Sequence, residues 1–147
     1  MAELVKSLLL EKSEEFALRI VRLYQYLQDK GERVMSKQVL RSGTSIGANI
    51  TEGHYGASKA DFINKYAIAE KEAAETRYWL NLLIRSGYLS EDVATQSLVS
   101  DCSELLRLLA ASIKTAKRRT ETKIPPFITY HLSFIIYRLS LSPITYH

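Results

Sequence analysis

The sequence predicts an all-α protein, an antiparallel up-down-up-down four-helix bundle followed by a C-terminal non-bundle tail. Three observations carry that prediction. Apolar residues recur at helical spacing in four successive stretches, and no strand-like alternation appears before residue 120. Capping residues open these stretches and glycines follow two of them. The connections are short, which sets consecutive helices antiparallel. At 147 residues, 46% hydrophobic and 24% charged, the chain suffices for one domain with a hydrophobic core.

The first helix is predicted over about Ser13 to Asp29, leaving residues 1–12 as an N-terminal extension. Ser13 is the candidate cap, Glu14 and Glu15 suit the first turn, and Phe16, Ile20, Leu23, Tyr24 and Leu27 share one face. Gly31 fits the position just past its end. The second helix runs from a Ser36 cap to about Glu52, with Val39, Gly43, Ile46, Gly47 and Ile50 inward. Each of its two interior glycines costs about 1 kcal/mol against alanine. Close approach of a neighbouring helix, or a hinge, would offset that cost.

The third helix spans about Ser58 to Ser86, roughly 43 Å at 1.5 Å per residue. Ser58 and Asp61 have capping-box-like spacing, and Gly87 ends the helix. Its inner stripe is Phe62, Tyr66, Ala69, Ala73, Thr76, Leu80, Leu83 and Ile84. The fourth helix runs from a Ser90 cap to about Arg119, with Ala94, Leu98, Cys102, Leu105, Leu109, Ser112 and Ala116 inward. The bundle therefore covers residues 13–120. Residues 121–147 form an apolar tail expected to be poorly ordered: Pro125-Pro126 stops any helix, and Ile128-Thr129-Tyr130-His131 recurs as Ile144-Thr145-Tyr146-His147. It reads either as an extension without a role or as an arm that docks.

Several chemistries lack their residues. No Glu-x-x-His occurs, so the carboxylate-bridged dimetal pattern of some bundles is absent, and no metal ligands or cofactor are predicted. Arg41-Ser42-Gly43-Thr44-Ser45-Ile46-Gly47 lacks the Gly-Lys-Ser/Thr ending of a phosphate loop. Cys102 falls on a core face and has no His partner for nucleophilic catalysis, so no catalytic residue is named. No run of eighteen apolar residues exists and the start lacks a secretory pattern, so no membrane partner and a cytoplasmic location are expected.

Two surface features remain. On the third helix Ile68, Trp79 and Leu82 fall roughly opposite Phe62 and Leu80, flanked by Glu72 and Glu75. An exposed Trp among aliphatics is a common interface anchor, although a broad inner stripe would also cover it. Arg41, Ser45, Ala48 and Glu52 on the second helix offer a complementary surface. If the two patches lie on different sides of the bundle, they meet head-to-tail, which closes into a ring or runs on as a filament, the ring being the expectation for a soluble protein. Glu70 and Arg77 lie together at the edge of the inner stripe and read as a salt-bridged pair; the other reading, a catalytic pair, lacks an evident nucleophile or metal.

The second feature is charge. The net charge is +4, yet from Ala110 onward six basic residues face one acid, while the first 109 residues hold 14 basic and 15 acidic. Arg107, Lys114 and Arg118 share an outward stripe, broadened by Lys117, Arg119 and Lys123. Cations suit a helix C-terminus by the dipole alone; they also suit nucleic-acid phosphate, RNA or DNA, bound without sequence preference.

The stretch Leu40-Arg41-Ser42-Gly43-Thr44-Ser45-Ile46-Gly47-Ala48-Asn49-Ile50-Thr51-Glu52-Gly53 and the later run from Asp61 to Leu89 resemble the family named for proteins encoded in intervening sequences of bacterial 23S rRNA genes. The resemblance covers about residues 12 to 119. It implies a left-handed bundle assembled as a homopentamer. A relative of this fold, the accessory protein of diversity-generating retroelements, binds nucleic acid and a reverse transcriptase, so such an enzyme is an implied partner. This chain departs from that relative in confining its charge excess to the C-terminal end. The functional expectation is a non-enzymatic oligomeric scaffold with modest nucleic-acid or ribonucleoprotein binding. A protein–protein adaptor without nucleic-acid contact is the alternative.

Overall fold

The computed structural model describes residues 1–121, which form α1 (Ala2–Asp29), α2 (Met35–His54), α3 (Lys59–Arg85) and α4 (Val93–Glu121). No strand occurs among the described residues. The compact unit carrying the bundle is Met1–Ala116. The tail beyond Glu121, with Lys123, lies outside the described residues.

Side-chain pairs fix both neighbours and direction. A Cβ on Gly43 would meet Ile20, and one on Gly47 would meet Ser13, so numbers rise along α2 as they fall along α1. Arg41 pairs with Glu72 and Glu75 and Glu52 pairs with Lys65, which sets α3 antiparallel to α2. Lys12–Glu104 and Arg19–Asp101 do the same for α1 and α4. The Cys102 thiol donates to the Ala73 carbonyl at 3.3 Å, joining α4 to α3. The result is the up-down-up-down bundle, each helix packed on two neighbours.

The core follows most of the inner stripe expected from periodicity: Phe16, Ile20, Leu27, Val39, Ile46, Ile50, Tyr66, Ala73, Leu80, Leu83, Cys102, Leu105 and Leu109 are buried, whereas Tyr24, Phe62, Ile84, Ser112 and Ala116, also expected inward, are half-buried at its margin. Thr76, the polar member of that stripe, places Oγ1 2.9 Å from Ser42 Oγ and 2.8 Å from the Glu72 carbonyl, so its hydroxyl is satisfied. Close approach, and not a hinge, accounts for Gly43: an added Cβ would stand 2.8 Å from Ile20 Cγ1. Gly47 has ordinary room, its nearest neighbour at 3.4 Å, and the second tight glycine is Gly53, under the Tyr66 ring at 2.9 Å.

Helix ends combine agreement and correction. Ser58 caps α3 by accepting from the Asp61 N–H. Gly31 and Gly87 take φ of +79° and +82°, and each closes a Schellman motif, with Glu32 and Tyr88 amides bonding back to Leu27 and Leu83 carbonyls. The first helix, however, does not wait for Ser13. It begins at Ala2, so the expected extension over residues 1–12 is its first turns, because Leu9 continues the buried face backwards. Ser13 sits mid-helix with its hydroxyl donating to the Leu10 carbonyl. Ser36 does not cap α2. The buried Glu32 carboxylate does, accepting from the backbone N–H of Val34, Met35 and Ser36 at 3.0, 2.9 and 2.6 Å. Burial pushes this carboxyl up, but the three amides and the Ser36 side chain together hold it below the ordinary glutamate range. For α4 the cap is Asp92, which accepts from the Thr95 amide at 2.8 Å, while Ser90 donates to Asp92. Ala94 therefore falls in an exposed first turn, not in the core.

Candidate nucleic-acid interface

The ion pairs that stitch the bundle also sort its surface. Glu72, Glu75 and Lys65 mark the side of α3 that faces α2. Asp101 and Glu104 mark the side of α4 that faces α1. At about 100° per residue, the remaining outward rows of α3 and α4 flank their shared seam. On α3 that row is Lys71, Ala74, Tyr78, Asn81 and Arg85, spaced by three and four residues, with Arg77 beside it; all six are exposed. On α4 it contains Arg107 and Lys114, both exposed.

These five cations enter no ion pair among the described residues, whereas Glu52, Glu72, Glu75, Asp101 and Glu104 are each held in pairs elsewhere on the bundle. Exposed Glu11, Glu14 and Glu15 all lie on α1; half-buried Glu70, two turns before Arg77 on α3, is unpaired among the described residues and offsets one of the five cations. The α3–α4 face thus carries an excess of positive charge that the near-neutral total of the first 109 residues conceals. Taking Ala73 and Cys102 as one level, Arg85 and Lys114 each lie twelve residues away in opposite directions. The row therefore extends about 36 Å, roughly one turn of a nucleic-acid duplex.

Of the cations expected from sequence, Arg107 and Lys114 join this row. Lys117, Arg118 and Arg119 are exposed in the last turns of α4. Lys123 lies outside the described residues. The Arg77–Glu70 pair that the sequence suggests is not among the ion pairs of the described residues: Arg77 is exposed, and Arg41 takes Glu72 and Glu75. Lys71, Tyr78 and Arg85 are not among the residues expected from sequence, although their seven-residue spacing is visible there.

The two surfaces read as complementary interface patches are one continuous face. Arg41 on α2 bonds to both Glu72 and Glu75 on α3, and Glu52 bonds to Lys65, so the stripe of Ser45 and Ala48 lies directly beside that of Ile68, Trp79 and Leu82. Their placement on different sides, which a head-to-tail contact between them requires, does not hold. Nor does Trp79 stand free. It is half-buried against its own core, and its indole N–H donates to Glu75 at 3.1 Å. The Arg41 and Trp79 donors together lower the Glu75 carboxyl below its ordinary range.

The family model described as 23S rRNA-intervening sequence protein matches residues 6–111. The chain belongs to this family. A solved structure from Bacteroides thetaiotaomicron is 52% identical to this chain, with the match covering 75% of this chain and 98% of its own, and superposes with a TM-score of 0.72. It is described as a protein with unknown function from the S23 ribosomal protein family. No curated protein matches. The family match holds Lys71, Arg77, Arg85 and Arg107 and ends before Lys114. Most of the seam's charge thus belongs to the family domain, not to the C-terminal end. Among the described residues, no helix is long and apolar enough to cross a membrane, and no group of three or more His, Cys, Asp or Glu is placed to hold a metal ion.

Proposed function

We propose that this protein is a non-enzymatic nucleic-acid-binding scaffold that engages phosphate backbone along its α3–α4 face and gains affinity by self-association. The observation that carries the reading is the row Lys71, Arg77, Arg85, Arg107 and Lys114, exposed and without carboxylate partners among the described residues. Cations so arranged release counterions from a polyanion when they bind it. Nothing in that mechanism reads sequence, so binding is non-specific and weak for one copy, on the order of 10⁻⁴ to 10⁻⁶ M at physiological salt. Repeating the row on several subunits raises the effective concentration of each contact. The family resemblance makes a ring of five the assembly to test. The α2–α3 face with Arg41, Ser45, Ala48, Glu52, Ile68, Glu72, Glu75, Trp79 and Leu82 is one side of that contact. A reverse transcriptase or other nucleic-acid enzyme is the protein partner the resemblance proposes.

Fluorescence anisotropy with random-sequence RNA and DNA tests the reading. Binding is expected to weaken steeply between 50 and 200 mM salt. Absent or salt-insensitive binding contradicts it and leaves the protein–protein adaptor. Light scattering tests assembly: a clean monomer at tens of micromolar removes the self-association.

A further inference from the structure

We infer that the α3–α4 face takes single-stranded nucleic acid, with Tyr78 as a platform on which one base stacks. The inference rests on the phosphate-binding reading above and names its ligand class. Tyr78 is 57% exposed, a large aromatic surface left in water at the centre of the basic row. Ala74 precedes it by one turn and is exposed, so a methyl group stands on that side of the ring. Asn81 and Arg85 follow on the same row, and Arg77 adjoins it.

The ring is braced. Trp79 meets it edge-on, with centroids 5.0 Å apart and planes at 73°. The indole is itself held by its bond to Glu75, which Arg41 fixes in turn. A T-shaped contact covers at most one face of the phenol ring, so a flat base can use the other. Aromatic side chains set within a cationic track are how proteins hold single strands of any sequence, since every base offers a π-face. A duplex keeps its bases stacked inside and gains nothing from Tyr78.

Titration with single-stranded and duplex oligonucleotides, as RNA and as DNA, tests this on wild type, Tyr78→Ala and Tyr78→Phe. Tyr78→Ala is expected to weaken single-strand binding about ten-fold. Duplex binding and the salt slope should hold, and Tyr78→Phe should bind as wild type does. Trp79, the chain's single tryptophan, supplies a second readout. Its fluorescence should be quenched by single strands and not by duplex, and the RNA and DNA arms say which strand is preferred. Equal loss for single strand and duplex, or no loss with Tyr78→Ala, overturns the stacking role while phosphate binding survives. No binding of either ligand overturns both.

Discussion

Replacing Glu32 with glutamine removes the charge that anchors the start of α2 while keeping the side chain's shape. The wild-type carboxylate is almost fully buried and accepts three backbone N–H groups from Val34, Met35 and Ser36. A hydrogen bond to a charged group contributes about 1.5–3 kcal/mol, against roughly 0.5–1.5 for a neutral one. Glutamine retains one oxygen, which can satisfy some of the three amides and leaves the rest unmet. The favourable interaction of an anion with the helix N-terminus, about 0.3–1 kcal/mol, is lost as well. The expected destabilisation of Glu32→Gln is about 2–4 kcal/mol at pH 7, read from urea unfolding. The pH dependence has a definite sign. Because the folded carboxyl lies below its ordinary range, its stabilisation is complete above the unfolded pKa and fades as pH falls through the folded one. The gap between wild type and Glu32→Gln should therefore shrink on acidification. A gap below about 0.5 kcal/mol at pH 7, or one that widens in acid, would refute the capping argument.

Three further outcomes follow from the packing. Gly47→Ala should stabilise by up to about 1 kcal/mol through helix propensity, whereas Gly43→Ala drives a methyl into Ile20 and should fall below it by about 1 kcal/mol or more in the same assay. Tyr66→Phe should be neutral or stabilising by about 1 kcal/mol, because the buried Tyr66 hydroxyl has no hydrogen-bond partner among the described residues; marked destabilisation would mean that it does. Burial pushes the Cys102 thiol up to about 12, so a thiol-specific reagent at pH 8 should label it only on unfolding; labelling of the folded protein at the rate of free cysteine would contradict that.

The inner stripes of the four helices were legible because burial leaves a 3.6-residue period in the sequence, and the same period led to Gly31, Gly87 and the Ser58 cap. The α1 start was misread because Ser13 followed by two acids looks like a helix opening. Leu9 was the contrary signal, one turn further back on the face of Phe16 and Ile20. Glu32 escaped because its carboxylate reaches forward from a loop, over Val34 and Met35, to serve amides that cap rules assign to nearer residues. The surface was harder for a different reason. A helical wheel gives the direction of Arg41, Glu75 or Arg77 on its own helix but not which helix lies alongside. Arg41 and Glu75 thus appeared as members of separate patches, when they are partners. Likewise Lys71, Tyr78 and Arg85 form a visible row on α3, and only the α3–α4 packing sets it beside Arg107 and Lys114.

The most direct test of the phosphate-binding face is the slope of log Kobs against log salt concentration for wild type, Arg77→Gln/Arg107→Gln and a charge-matched control, Arg33→Gln/Lys37→Gln, whose residues are exposed at the α1–α2 connection and the first turn of α2. Per bound chain, the seam variant should lose about 1.8 units of slope on duplex, or about 1.4 on a single strand, with the control unchanged. An equal loss in both variants, or none in the seam variant, would contradict the assignment of binding to α3 and α4.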